Sequence, residues 1–138
     1  MPTSVSPGRA AVNARKAYEL REKVSERERL SIEAFYYLFV TGDLEKATQV
    51  YALWQQTYPR EVLPYANLGF ISASLGNWKK ALEETREAMR LEPSDEINYV
   101  NLVGAYVSLN RLDEAAAVYK QAEDRKLEGE GLLQYRYQ

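Results

Sequence analysis

The chain has no cysteine and no histidine among its 138 residues. Without cysteine there is no disulfide framework and no thiolate to act as nucleophile or metal ligand. Without histidine it lacks the side chain best suited to proton transfer near neutral pH, which is also the commonest transition-metal ligand. These two absences remove the usual nucleophile–base pairs of covalent catalysis, and no local motif offers a Ser–Lys arrangement in their place. No stretch approaches the roughly 20 apolar residues that cross a bilayer, and the opening MPTSVSPGRA lacks the apolar run of a secretory signal. Nor does either sign of charge dominate. Eighteen Lys and Arg against 20 Asp and Glu leave a net charge of −2, too little to draw the chain to nucleic acid or an anionic membrane.

The same reading disposes of weaker signals. Glu83, Glu84, Arg86 and Glu87 mix both signs, the pattern of a solvated helix face rather than a carboxylate pair for acid–base work. Arg9, Arg15, Lys16, Arg21, Lys23, Arg27 and Arg29 make the N-terminal stretch basic, but Glu19, Glu22, Glu26 and Glu28 are interleaved and cancel the local field. The EGEG near the C-terminus follows no strand and reads as a turn, not a phosphate loop. The expectation is a cytoplasmic, non-enzymatic domain that takes no cofactor or metal, binds no nucleic acid and inserts into no membrane.

What the chain does contain is a period. Residues 28–61, 62–95 and 96–129 align without a gap at a spacing of 34. Matching columns hold Gly42, Gly76 and Asn110; Leu44, Trp78 and Leu112; and Ala47, Ala81 and Ala115. Further columns hold Tyr51, Thr85 and Tyr119; Trp54, Ala88 and Ala122; and Pro59, Pro93 and Leu127. Each unit reads as two helices. In the second, apolar residues recur at helical spacing through Tyr65, Leu68, Phe70, Ile71 and Leu75, break at Gly76-Asn77, and resume through Trp78, Ala81, Leu82, Ala88 and Leu91 before Pro93. Gly42, Gly76 and Asn110 are residue types that tolerate the left-handed backbone of a helix C-terminus. Asp43 and Asn77 follow where a side-chain oxygen can cap the next helix, and Ser25 with Glu28 forms a capping box. Turns this short force successive helices to pack antiparallel.

Outside the repeats, residues 1–8 read as a flexible lead. Residues 9–24 read as an extra helix with Ala10, Ala14, Ala17, Leu20 and Val24 along one edge. Residues 130–138, with Leu132, Leu133, Tyr135 and Tyr137, read as a truncated final helix or cap, so the repeat domain at 9–129 is expected to be a piece of a longer protein.

Tyr65-x2-Leu68-Gly69 with Ala81, Ala88 and Pro93 resembles the tetratricopeptide repeat (TPR), whose period is also 34. The third unit offers Tyr99-x2-Leu102, Tyr106, Ala115-x3-Tyr119 and Ala122, and the first Ala47-x3-Tyr51 and Pro59. The resemblance implies an all-α fold, a right-handed superhelix or solenoid of antiparallel helix pairs, with a concave face lined by the first helix of each pair. It also marks departures. Phe35 and Trp54 occupy columns where the family places small residues, so helix spacing is expected to widen there, or Gly69 to receive part of the tryptophan. Leu127 replaces the terminal proline, so the last helix is expected to run on toward Gly129.

Carried across position by position, the inward face comprises Ile32, Glu33, Tyr36, Phe39 and Val40 in the first repeat. The second supplies Leu63, Asn67, Phe70 and Ser74, and the third Ile97, Asn101, Gly104 and Ser108. Family members that clamp C-terminal carboxylates place Lys and Arg at such positions; here only Asn67 fits that pattern. Asn67 and Asn101 resemble instead an asparagine ladder that holds an extended backbone, interrupted by Glu33, although asparagine is also habitual at that column. Tyr36, Phe39 and Phe70 either face a partner or are covered by a neighbouring helix such as the N-terminal one. The expected function is a protein-interaction module that binds a peptide or amphipathic segment in this apolar groove. The alternative is a self-association element, a homo-oligomer formed through the C-terminal edge. YPREVLPYANLGF and LNRLDEAAAVYKQA are similar to repeat arrays attached to bacterial serine/threonine kinases and transcription regulators, which implies a larger signalling or regulatory protein.

Overall fold

The computed structural model describes residues 7–125 and divides into two compact units, one ending at Pro59 and the other starting at Arg60. In the first, α1 (Pro7–Glu19) leads through a 3-10 turn (Arg21–Lys23) to α2 (Glu26–Phe35), which continues as a π-helical turn (Tyr36–Thr41) before α3 (Leu44–Thr57). The second contains α4 (Val62–Ser74), α5 (Trp78–Leu91), α6 (Glu96–Ser108) and α7 (Leu112–Asp124). Among the described residues there are seven α-helices and no strand. The fold is all-α and TPR-like, a helical solenoid of antiparallel pairs.

The turns behave as their residues dictate. Gly42, Gly76 and Asn110 adopt left-handed φ values of 70°, 77° and 57°. At Gly76 the amide of Asn77 donates to the carbonyl of Ser72 at 2.8 Å, and at Asn110 the amide of Arg111 donates to Tyr106 at 2.8 Å. Both are the six-to-one bond of a Schellman ending, which satisfies carbonyls that the helix leaves open. On the far side of two turns, Asp43 accepts from the Lys46 amide at 3.0 Å and Asn77 from the Lys80 amide at 3.3 Å. Ser25 accepts from the Glu28 amide at 3.3 Å and opens α2 at Glu26.

Small columns make the helices nest. Ala47, Ala81 and Ala115 are all buried, as are Ala88 and Ala122, so backbones of paired helices approach closely. In the first unit Leu30, Ala34 and Leu38 are buried together with Tyr51 and Trp54 of α3. In the second, Leu82 of α5, Tyr99, Leu102, Val103 and Tyr106 of α6, and Val118 of α7 form one apolar cluster. Asn98, fully buried at the start of α6, donates its amide to the Ala88 and Glu92 carbonyls at 3.3 and 3.2 Å, tying α6 to the last turn of α5. A buried amide is tolerated because it is bonded.

Three expectations need correction. A single helix over 9–24 is not what forms: α1 starts at Pro7, inside the stretch expected as a flexible lead, and stops at Glu19. Proline suits a first helical turn, where its missing N–H has no partner to lose. Beyond Leu20 the chain tightens into the 3-10 turn and then extends at Val24, which lets Ser25 cap α2. The alanines of the expected edge are half-buried, while Leu20 and Val24 stay exposed. Phe35 does not occupy the close helix crossing. Its ring is 44% exposed and lies against that of Phe39, with centroids 4.7 Å apart, because α2 and the π-helical turn bury only the narrow stripe Leu30, Ala34, Leu38. The space beside Gly69 is filled by its own hairpin: a Cβ there would stand 2.9 Å from Thr85 Oγ1 and 3.6 Å from the Ala81 carbonyl. The EGEG turn, Leu127, Gly129 and the 130–138 segment with Leu132, Leu133, Tyr135 and Tyr137 lie outside the described residues, as do residues 1–6.

Candidate peptide-binding cleft

The second unit opens a cleft of about 230 Å³ between α4 and α6, floored by α5. Its room comes from small residues: Gly69 and Ala73 on α4, Ala81 on α5, and Gly104 and Ala105 on α6. Phe70, Trp78 and Val100 supply apolar walls, and Thr85, Asn101 and Ser108 the polar groups. Gly69 lets α4 pack tightly against α5, and Phe70 beside it keeps 54% of its surface exposed. Among the described residues no Lys or Arg lines the cleft.

Of the inward positions expected from the sequence, Phe70, Asn101, Gly104 and Ser108 come together here. Leu63 and Ile97 are exposed near the starts of α4 and α6 and stand outside it. Ser74 turns back on its own helix, donating to the Phe70 carbonyl at 2.9 Å. Asn67 is half-buried and does not line the cleft, so the two asparagines do not form a ladder within it. The floor residues Trp78, Ala81 and Thr85 escaped the sequence reading, which assigned the inward face to first helices alone. Their spacing of three and four was the available signal, since it places them on one stripe of α5.

In the first unit two of the positions expected to face inward meet α1 and the 3-10 turn after it instead. Tyr18 stacks on Tyr36 with ring centroids 4.0 Å apart and planes inclined by 15°. Its hydroxyl lies 2.9 Å from that of Tyr37. The Arg21 guanidinium sits 3.8 Å from the Tyr18 ring centroid and 3.3 Å from a Glu33 carboxylate oxygen. Glu33 and Tyr36 are thus partly covered by the chain itself, together with half-buried Ile32 and Val40, whereas Phe39 remains 57% exposed.

The hydrogen bond to Tyr18, followed by burial and the nearby Tyr18 and Glu33 charges, pushes the Tyr37 phenol from 10.0 up to about 12, with Arg21 opposing. A phenol harder to ionise in the fold than in the unfolded chain contributes stability that is complete below pH 10 and lost as pH climbs toward 12. The Tyr37 Cζ resonance should therefore titrate near pH 12, and Tyr18→Phe should return its midpoint toward 10. A midpoint indifferent to Tyr18→Phe would remove the hydrogen bond as the cause.

Other chemistry is sparse. Among the described residues no group of three Asp or Glu side chains is placed to hold a metal ion, and no helix is long and apolar enough to cross a membrane. A polar cluster borders the buried Tyr106: the Arg86 Nε donates to its hydroxyl at 3.1 Å, and Arg111 pairs with Glu114 at 2.7 Å on the exposed side.

Comparison with known proteins agrees with the fold. The family model described as the bacterial transcriptional activator domain matches residues 61–130, about half of the chain. The heat shock protein STI1 of Saccharomyces cerevisiae is 33% identical over 86 residues, covering 61% of this chain but only 14% of STI1. Among solved structures, a crystal structure of MamA superposes with a TM-score of 0.70 at 21% identity, covering 87% of this chain and 64% of MamA's. The first TPR of Spaghetti (RPAP3), solved bound to the HSP90 peptide SRMEEVD, superposes with a TM-score of 0.64 at 17% identity, covering 91% of this chain and 88% of that one. At such identities the two structures speak for the fold.

Proposed function

Because this chain belongs to the bacterial transcriptional activator domain family, we propose that it is the protein-interaction module of a larger regulatory protein and binds a peptide or amphipathic segment of a partner across α4 and α6. The observation that carries this reading is the cleft: apolar walls, two or three neutral polar groups, and an aromatic ring held half in solvent. Pockets of this make-up use apolar area for affinity and a few hydrogen-bonding groups for orientation. The TPR-like relatives support the general role, since one of them holds a bound peptide. That peptide ends in two glutamates, a valine and an aspartate. A carboxylate brought to the cleft of this chain would shed water and meet no lining cation, which is unfavourable. The ligand class is therefore apolar or amphipathic rather than acidic.

A peptide array spanning apolar, amphipathic and acidic sequences tests both halves of the proposal. Amphipathic peptides should bind, SRMEEVD should not, and Phe70→Ala should weaken the selected binders at least about tenfold, equivalent to ~1.4 kcal/mol. Asn101→Asp should weaken them too, while the far-ultraviolet circular dichroism of both variants stays unchanged. Selection of acidic C-termini, or binders indifferent to Phe70→Ala, would move the site elsewhere.

A further inference from the structure

The first hairpin already shows what an occupant of an inward position looks like. Tyr18 of α1 lays its ring on Tyr36, and Arg21, three residues later in the 3-10 turn that follows α1, reaches Glu33. In the repeat register Tyr36 corresponds to Phe70 and Gly104, spaced by 34 and 68, and Glu33 corresponds to Asn67 and Asn101. Phe70, Gly104 and Asn101 are the residues that gather in the α4–α6 cleft. One half of the chain thus carries an aromatic-bearing helix over this pattern. In the other half the equivalent ring of Phe70 remains half in solvent, and Gly104 leaves space where a side chain would stand.

Resting on the proposed function, we infer that the partner segment is a helix that places one aromatic side chain against Phe70 above Gly104 and, within the next turn, an uncharged hydrogen-bonding side chain against Asn101. The aromatic preference follows from the ring on offer and from the way Tyr18 uses its counterpart, since stacked pairs contribute beyond their buried area. The neutral preference follows from the exchange of Glu33 for Asn101. Arg21 has a carboxylate to meet, whereas an arginine entering the cleft would be desolvated against an amide and two hydroxyls. That exchange also argues against a second copy of this chain as the occupant, because its Tyr18 would bring Arg21 of the following turn with it.

Three synthetic peptides with the sequence of residues 7–23, each held helical by a side-chain staple, provide the test by calorimetric titration into the full chain. One is unmodified, one carries Arg21→Gln, and one carries Arg21→Gln with Tyr18→Ala. The Arg21→Gln peptide is expected to bind at least tenfold more tightly than the other two, and Phe70→Ala in the protein should abolish that advantage. Equal binding of all three, tighter binding of the unmodified peptide, or an Arg21→Gln advantage that survives Phe70→Ala would overturn the inference. So would the absence of binding by any of the three. In that event amphipathic peptides recovered from the array and sensitive to Phe70→Ala would still uphold the proposed function, which separates the two failures.

Discussion

Trp54→Ala is expected to cost about 3–5 kcal/mol, the range for removing a large buried aromatic side chain. The repeat register taken alone points the other way, because the same column holds Ala88 and Ala122, so alanine would look like a return to type. Local packing decides otherwise. Trp54 is 1% exposed and stacks nearly parallel to buried Tyr51, with centroids 6.0 Å apart. In the same unit α2 and the π-helical turn bury the narrow stripe Leu30, Ala34 and Leu38, with Phe35 turned outward. The Arg27 guanidinium lies 5.7 Å from the Trp54 ring centroid, and Ala34 and Ala47 are both fully buried. With alanines already at Ala34 and Ala47, the buried neighbours leave a void that closes only if Tyr51 or the leucines repack, and a cavity that collapses incompletely carries the larger penalty. Urea unfolding of the variant gives the loss directly, and hydrogen exchange should report it first in α2 and α3. A loss below about 1 kcal/mol would show that these helices close over the gap.

The sequence made some features plain and hid others for identifiable reasons. The helix endings were legible because one residue's conformation carries each of them. A left-handed φ at Gly42, Gly76 and Asn110 is a local property that the residue type announces. The caps at Asp43 and Asn77 are legible for the same reason. Positions expected to share a face come together only where repeat register translates into geometry. Phe70, Asn101, Gly104 and Ser108 converge because α4 and α6 are regular helices of 13 residues each. In the first hairpin two irregular stretches intervene. The π-helical turn at Tyr36–Thr41 has no residue signature, and it follows directly on Phe35, which points outward. The 3-10 turn at Arg21–Lys23 redirects the chain so that Tyr18 and Arg21 meet Tyr36 and Glu33. No period encodes that meeting, since it depends on tertiary contacts between a helix outside the repeats and one inside them.

Gly69→Val provides the complementary case, in which the register again predicts tolerance and packing predicts loss. Val103 fills this column in the third repeat and is fully buried. Valine at 69 would have to place a Cβ 2.9 Å from Thr85 Oγ1 and then add two methyl groups in the same crowded space. Thr85 is itself buried and β-branched, so it has few alternative rotamers with which to yield. Replacing glycine inside a helix gains up to about 1 kcal/mol of backbone propensity, but overpacking a tight helix crossing costs about 1–3 kcal/mol and occasionally more. A net destabilisation of about 2 kcal/mol is expected, and Thr85→Ala should restore at least half of it, because the two residues share one contact and their effects cannot be additive. The same double variant bears on the cleft. Gly69 and Thr85 both line it, so separating α4 from α5 would shift Phe70 and weaken peptide capture, whereas Gly69→Val/Thr85→Ala should recover capture together with stability. Additive losses in the two single variants would mean that the crossing at Gly69 relaxes independently of Thr85, and that the position of Phe70 is set by something other than this contact.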